Sequence, residues 1–128
     1  MKKITLILAL LILTPLIGQV LINEYSASNL SWYTDNYQME EDWIELYNTG
    51  NTDEDIGGYF LSDDPDEPTK WLIPGGTVIS ADGYIVFWCS GRDEYSDNNY
   101  HTNFKLKQSK NNPDHVVFSD PYGYIIDD

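Results

Sequence analysis

The sequence is almost without cysteine, short of basic residues and, beyond Ile17, free of any apolar run suited to a membrane. Each scarcity excludes something. With Cys89 alone no intramolecular disulfide can form, so stability has to come from a packed core. Cys89 closes the run Tyr84-Ile85-Val86-Phe87-Trp88 and reads as a small buried hydrophobe, with no histidine near it in sequence to activate a thiolate. Seven Lys and Arg stand against 21 Asp and Glu, a net charge of −14, which leaves no basic footprint for the phosphates of a nucleic acid. Such an acidic surface reads first as a solvated one that keeps the chain soluble. Catalytic signatures are missing as well: there is no Gly-x-Ser-x-Gly elbow, no His-Glu-x-x-His, no P-loop and no dinucleotide-binding glycine pattern. Ser90-Gly91 follows a strand pattern but lacks the elbow around it, and His101 and His115 stand 14 positions apart without the partners of a zinc site.

What is present begins with a leader. Lys2-Lys3 followed by the apolar run Ile4 to Ile17 has the charged n-region and short h-region of a secretory signal peptide. The run is interrupted by Thr14 and Pro15 and falls short of the roughly 20 residues that span a bilayer, so an uncleaved anchor is the lesser reading. Residues 1–18 are therefore expected to be removed and the mature chain to begin near Gln19 or Val20. Gly18 suits the position before the cut, although Leu16 is larger than usual two places earlier. Loss of Lys2 and Lys3 lowers the basic count from 7 to 5 and takes the net charge from −14 to −16. Residues 19–128 are the length of one domain, expected to be secreted or held at the cell surface with no membrane span of its own.

Aromatic and β-branched residues come in short runs separated by Gly, Pro, Asn and Asp, with no sustained 3.6-residue period, which predicts strands and little helix. Val20 to Tyr25 reads as the first strand, and the polar stretch Ser26 to Glu41 as a long loop. Asp42 to Asn48 alternates, placing Ile44 and Leu46 on a core face and Trp43, Glu45 and Tyr47 on the other. Ile56 to Leu61 is the next strand, with Gly57-Gly58 allowing a bulge or a close backbone approach. Lys70 to Ile73, a minor Thr77 to Ile79 and the strong Tyr84 to Cys89 follow, then Gly91 to Asn103 as a long acidic loop. Val116 to Ser119 and Tyr124 to Ile126 close a hairpin around Asp120-Pro121-Tyr122-Gly123, with Pro at the first central turn position. About seven short strands with frequent turns predict an antiparallel β-sandwich whose interior includes Ile44, Leu46, Phe60, Val86 and Trp88.

Several linked motifs carry a family resemblance: Ile22-Asn23-Glu24-Tyr25, Asp42-Trp43-Ile44-Glu45-Leu46-Tyr47-Asn48, Leu61-Ser62-Asp63-Asp64, Lys70-Trp71, Pro74, Cys89-Ser90-Gly91 and His101-Thr102-Asn103-Phe104-Lys105-Leu106. In this order they resemble the lamin tail domain in its bacterial, secreted form, over essentially the whole mature chain. The resemblance implies an immunoglobulin-like sandwich without catalytic residues, found in bacteria on exported multidomain proteins. Two departures from the family pattern stand out. Ser109-Lys110-Asn111-Asn112-Pro113-Asp114 replaces a Gly-rich turn, and the further strand usual after the Gly-Tyr-Ile-Ile-Asp type of motif does not follow, which reads either as a fragment of a longer protein or as a domain lacking its last strand with a terminal edge left open.

Functional candidates are few. Trp32, Tyr33 and Tyr37 in the first loop, with Tyr95 and Tyr100 in the later one, are the aromatics that strand alternation leaves unexplained. Loop aromatics serve recognition, or else fold back over the core as a lid. Asp63, Asp64, Asp66 and Glu67 form the densest carboxylate cluster, with Asp93, Glu94 and Asp97 a second. Calcium would suit such oxygen donors, yet neither fits the EF-hand spacing, and no cofactor is expected. Asn29-Leu30-Ser31 is a glycosylation sequon without further support. The reading is a non-catalytic binding or adhesion module recognising a protein or cell-surface polysaccharide. The alternative is an accessory domain of a larger exported enzyme, of the spore-coat-H-type kinase or nuclease kind, with its further domains elsewhere. Mass spectrometry of protein recovered after export should find an N-terminus within a few residues of Gln19; retention of Met1 to Ile17 in a membrane fraction would overturn the leader assignment.

Overall fold

The computed structural model describes residues 19–30, 33–107 and 115–128; the leader segment, Trp32 and the Ser109 to Asp114 loop lie outside them. The described residues form strands and no helix: β1 (Val20–Ser26), β2 (Trp43–Asn48), β3 (Glu54–Asp55), β4 (Phe60–Ser62), β5 (Trp71–Leu72), β6 (Val78–Ile79), β7 (Tyr84–Trp88), β8 (Glu94–Ser96), β9 (Asn99–His101), β10 (Val117–Ser119) and β11 (Ile125–Asp127). They make a five-stranded sheet in the order β1-β2-β7-β9-β8, a four-stranded sheet β11-β10-β4-β5, and a small pair β3-β6.

The core lies between the two larger sheets. The alternation predicted for β2 holds, with Ile44 and Leu46 fully buried and Trp43, Glu45 and Tyr47 half-buried on the other side. Because Ile44 stands opposite Phe87 and Leu46 opposite Ile85, the inward face of β7 is Ile85 and Phe87, continued by Cys89. Leu61, Trp71 and Phe118 meet them from the four-stranded sheet, Trp71 edge-on to Phe87 at 5.9 Å. Two expected core residues are thereby corrected. Val86 lies on the outward side of β7 and Phe60 on the side of β4 away from Leu61, and both are half-buried. Trp88 is buried, but on the outward face of its sheet and outside the core cluster.

Other expectations change in detail. Gly91 to Asn103 is no plain loop: it holds the β8-β9 hairpin, turned by Asp97 (φ 48°) and Asn98 (φ 60°), a two-residue loop with both central residues left-handed. β9 then pairs with β7 in parallel, the exception in an otherwise antiparallel sandwich. Ile56 to Leu61 is interrupted by a turn at Gly57-Gly58, so β4 starts only at Phe60. Gly57 makes the close approach its sequence suggested, since a Cβ there would lie 2.8 Å from both Gly75 Cα and Gly76 N. The last hairpin forms as read: Gly123, at φ 84°, donates its N–H to the Asp120 carbonyl at 3.0 Å.

These placements set two measurable contrasts. Phe87→Ala should lose roughly 3–5 kcal/mol in denaturant unfolding, whereas Val86→Ala one position earlier should lose less than about 1 kcal/mol; comparable losses would contradict the facing. Gly57→Ala pushes first against the backbone of Gly75 and Gly76 and next against the Asp55 carboxylate, and should destabilise by about 1–3 kcal/mol in the same measurement.

Candidate functional site

The outward side of the five-stranded sheet is covered at one end by the loop that joins β1 to β2. Its polar residues build the loop from within. Asn29, 6 % exposed, donates its side-chain N–H groups to the carbonyls of Tyr33 (2.6 Å) and Glu41 (2.9 Å), clamping the two ends together. That amide is committed to the fold, so the sequon at Asn29 marks an internal clamp, and its Ser31 lies outside the described residues. The buried Asp35 carboxylate accepts the amides of Tyr37 (2.8 Å) and Met39 (2.9 Å), and Gln38 closes the turn at φ 61°. Its other oxygen takes Arg92 Nη1 at 3.2 Å.

Arg92 brings the loop to the sheet. Its guanidinium also reaches Glu41 at 3.4 Å and stacks 4.5 Å above the Tyr37 ring, while Lys105 meets the second oxygen of Glu41 at 3.3 Å. Tyr37 donates its hydroxyl to Glu94 on β8 at 2.6 Å and sets its ring 5.7 Å from that of His101. Tyr33 lies over Trp88 at 5.0 Å and edge-on to Trp43 at 5.8 Å, and Trp88 donates its indole N–H to Asn99. Both tyrosines remain about half exposed.

Beneath them His101 is wholly buried, with Nδ1 2.9 Å from Ser90 Oγ and Nε2 2.8 Å from Asn36 Oδ1. With the Asn36 oxygen as acceptor, Nε2 carries the proton and Nδ1 accepts the Ser90 hydroxyl, whose oxygen accepts the Arg92 amide at 3.3 Å. Burial pushes the imidazole below its ordinary range, and the nearby Asp35 carboxylate opposes this. A serine against a histidine is the material of a nucleophile and base. Here Ser90 is 5 % exposed, and the third group is an amide of a covering loop. The arrangement holds a loop down.

The candidate contact residues divide between two sides. Tyr33 and Tyr37 sit on the outward face. Tyr95 and Tyr100, 4.5 Å apart, lie on the core-facing side of the β8-β9 hairpin, where Tyr100 packs 5.3 Å from Phe87 and Tyr95 stays exposed. Trp32 lies outside the described residues. Arg92 and His101 were missed as partners of Tyr37, and Asn36 as the partner of His101, since the bonds joining loop to sheet here span 57 and 65 residues.

Part of each acidic loop is taken up by the fold's own bonds. Asp63 pairs with Lys70 at 2.5 Å, which raises the lysine above its ordinary range; Asp64 caps the Asp66 amide at 2.9 Å, and Glu67 donates its own amide to the Asp64 carbonyl. In the second cluster Asp93 accepts the Trp71 indole N–H at 2.9 Å and Glu94 holds Tyr37. Among the described residues no three His, Cys, Asp or Glu side chains are gathered as for a metal. A groove of about 520 Å³ runs between β1 and β11, lined by Ile22, Tyr25, His115 and Asp127 among others, and bridged where Ile22 donates its N–H to Asp127 Oδ2 at 2.9 Å.

Two sheets packed face to face with hairpin connections define an immunoglobulin-like β-sandwich. Within that class the chain matches the lamin tail domain over residues 14–128 and belongs to that family, whose domain is non-enzymatic. No curated protein matches the chain.

If Asp35 organises the loop, Asp35→Ala should cost about 1–3 kcal/mol and speed amide exchange at Tyr37 and Met39 while Leu46 and Phe87 stay protected. Unchanged exchange at Tyr37 would show that the loop stands without its carboxylate.

Proposed function

We propose that this lamin tail domain is a non-catalytic recognition module of an exported protein, binding a protein or a cell-surface polysaccharide through the aromatic surface of its first loop. The observation that carries this is the pre-organisation of Tyr33 and Tyr37. Each presents about half its surface to solvent, yet each is braced from below, Tyr33 by Trp43 and Trp88, Tyr37 by Arg92, Glu94 and His101. Aromatics fixed in place before contact lose little conformational freedom on binding, which makes them efficient anchors. Tyr95, exposed on the core-facing side of the β8-β9 hairpin, is the remaining exposed aromatic candidate and is tested with them.

Calcium has no part in this reading: of the candidate carboxylates, Asp63 is paired with Lys70 and Asp64 caps a turn. The Ser90–His101 pair likewise has a structural role, and no residue of the domain is assigned to catalysis.

A binding screen of the mature protein against peptidoglycan, other insoluble polysaccharides and exported proteins tests the reading. Combined Tyr33→Ala, Tyr37→Ala and Tyr95→Ala substitutions, with the fold verified by near-ultraviolet circular dichroism, should weaken any binding found by at least about 2 kcal/mol, roughly thirtyfold. Unaltered affinity would move recognition to another surface, and turnover of a substrate by the purified domain would overturn the non-catalytic assignment.

A further inference from the structure

We propose that His101 is a proton-operated latch that holds residues 33–42 closed over Trp43 and Trp88 and lets them go on acidification. The proposal is independent of what the aromatic surface binds. It rests on where the imidazole sits and on how fully its two nitrogens are used.

His101 lies on β9 in register with Trp88, and its side chain has no exposed surface. One nitrogen is bonded to Ser90, which follows β7, and the other to Asn36 in the covering loop. The ring is thus a direct hydrogen-bonded link between sheet and loop, and the neutral form satisfies every partner. Adding a proton turns Nδ1 from acceptor to donor. Ser90 must then turn its own hydrogen away while still receiving the Arg92 amide. A charge also appears in a place closed to water, where it is poorly solvated.

The charged groups around the ring do not remove that penalty. From the loop come Asp35 and Glu41, from β8 comes Glu94, and from the turn between β7 and β8 comes Arg92. The three carboxylates favour the imidazolium, but all are already engaged. Asp35 holds Arg92 and two backbone amides, Glu41 holds Arg92 and Lys105, and Glu94 holds the Tyr37 hydroxyl. Arg92 repels the added charge. Burial is the dominant influence and keeps the closed ring neutral below the pH at which a free imidazole takes its proton.

The sign follows by linkage. A free or released histidine titrates near 6.5, while the closed ring titrates lower. Above that pH the latch contributes fully. As pH falls below it the released state gains a proton that the closed state does not, so the open fraction rises by at most about tenfold per pH unit, levelling off once the closed ring itself titrates. Opening lifts Tyr33 from Trp43 and Trp88 and bares the outward face of the sheet.

The test is amide exchange at Tyr37 and Met39 of the mature protein between about pH 7.5 and pH 5, corrected for intrinsic exchange, with acrylamide quenching of tryptophan in parallel. Opening should increase toward low pH while Leu46 and Phe87 stay protected. His101→Gln should abolish the dependence in this window. Asn36→Asp, which sets a carboxylate against Nε2 and so stabilises the imidazolium in the closed state, should make the rise in opening toward low pH smaller or abolish it. A flat profile in the wild type would overturn the proposal, as would a wild-type response in His101→Gln, which would assign opening to the carboxylates. Should His101→Gln fail to fold, an undiminished rise toward low pH in Asn36→Asp overturns the proposal by itself.

Discussion

The pairing of β2 with β7 is the constraint from which the rest of the structure follows. Ile44 against Phe87 and Leu46 against Ile85 settle which side of the five-stranded sheet is interior. β7 is apolar at every position from Tyr84 to Cys89, so either phase would bury hydrophobic surface; only the partner strand breaks the tie. Once Phe87 and Cys89 turn inward, Trp88 has to turn outward. A large indole on the solvent side of a sheet calls for a cover, and the loop between β1 and β2 supplies it.

That cover is held by polar rather than apolar contacts. Asn29, Asp35 and His101 are buried side chains that each satisfy two or more partners, which is the condition under which buried polar groups rigidify a structure instead of weakening it. The same logic operates at the far end of β2. There the Asn48 amide, wholly buried, donates to the carbonyls of Thr52 and Ile79 and accepts the Gly50 N–H. The outward face is thus well ordered without being hydrophobic throughout, so it presents aromatic rings to solvent without a continuous greasy patch.

How much of this was legible in the sequence depended on whether a local pattern existed. β2 was readable because Trp43, Glu45 and Tyr47 alternate with Ile44 and Leu46, and the last hairpin because Pro121 and Gly123 stand at the right turn positions. The phase of β7 was not, since a run without polar residues carries no period of two. β8 and β9 hid within acidic sequence, where the one available signal was Asp97-Asn98, a pair tolerant of the left-handed backbone that tight hairpins need. The latch residues were beyond local reading, because Asn36, Ser90 and His101 meet only once three separate segments have folded. Lamin tail family membership, by contrast, was visible from the ordered motifs themselves.

The parallel pairing of β9 with β7 has a consequence for the border of the molecule. Because β9 runs alongside β7, the strand exposed at the margin of the larger sheet is β8, only three residues long and closed by a turn with two left-handed residues. Short and bearing Glu94, it is a poor template for another chain to extend. Had the chain left β7 and passed straight into an outer strand, that margin would have been β9, carrying Tyr100. The hairpin therefore acts as a bumper, allowing a domain with aromatic flanks to crowd against its neighbours without zipping to them.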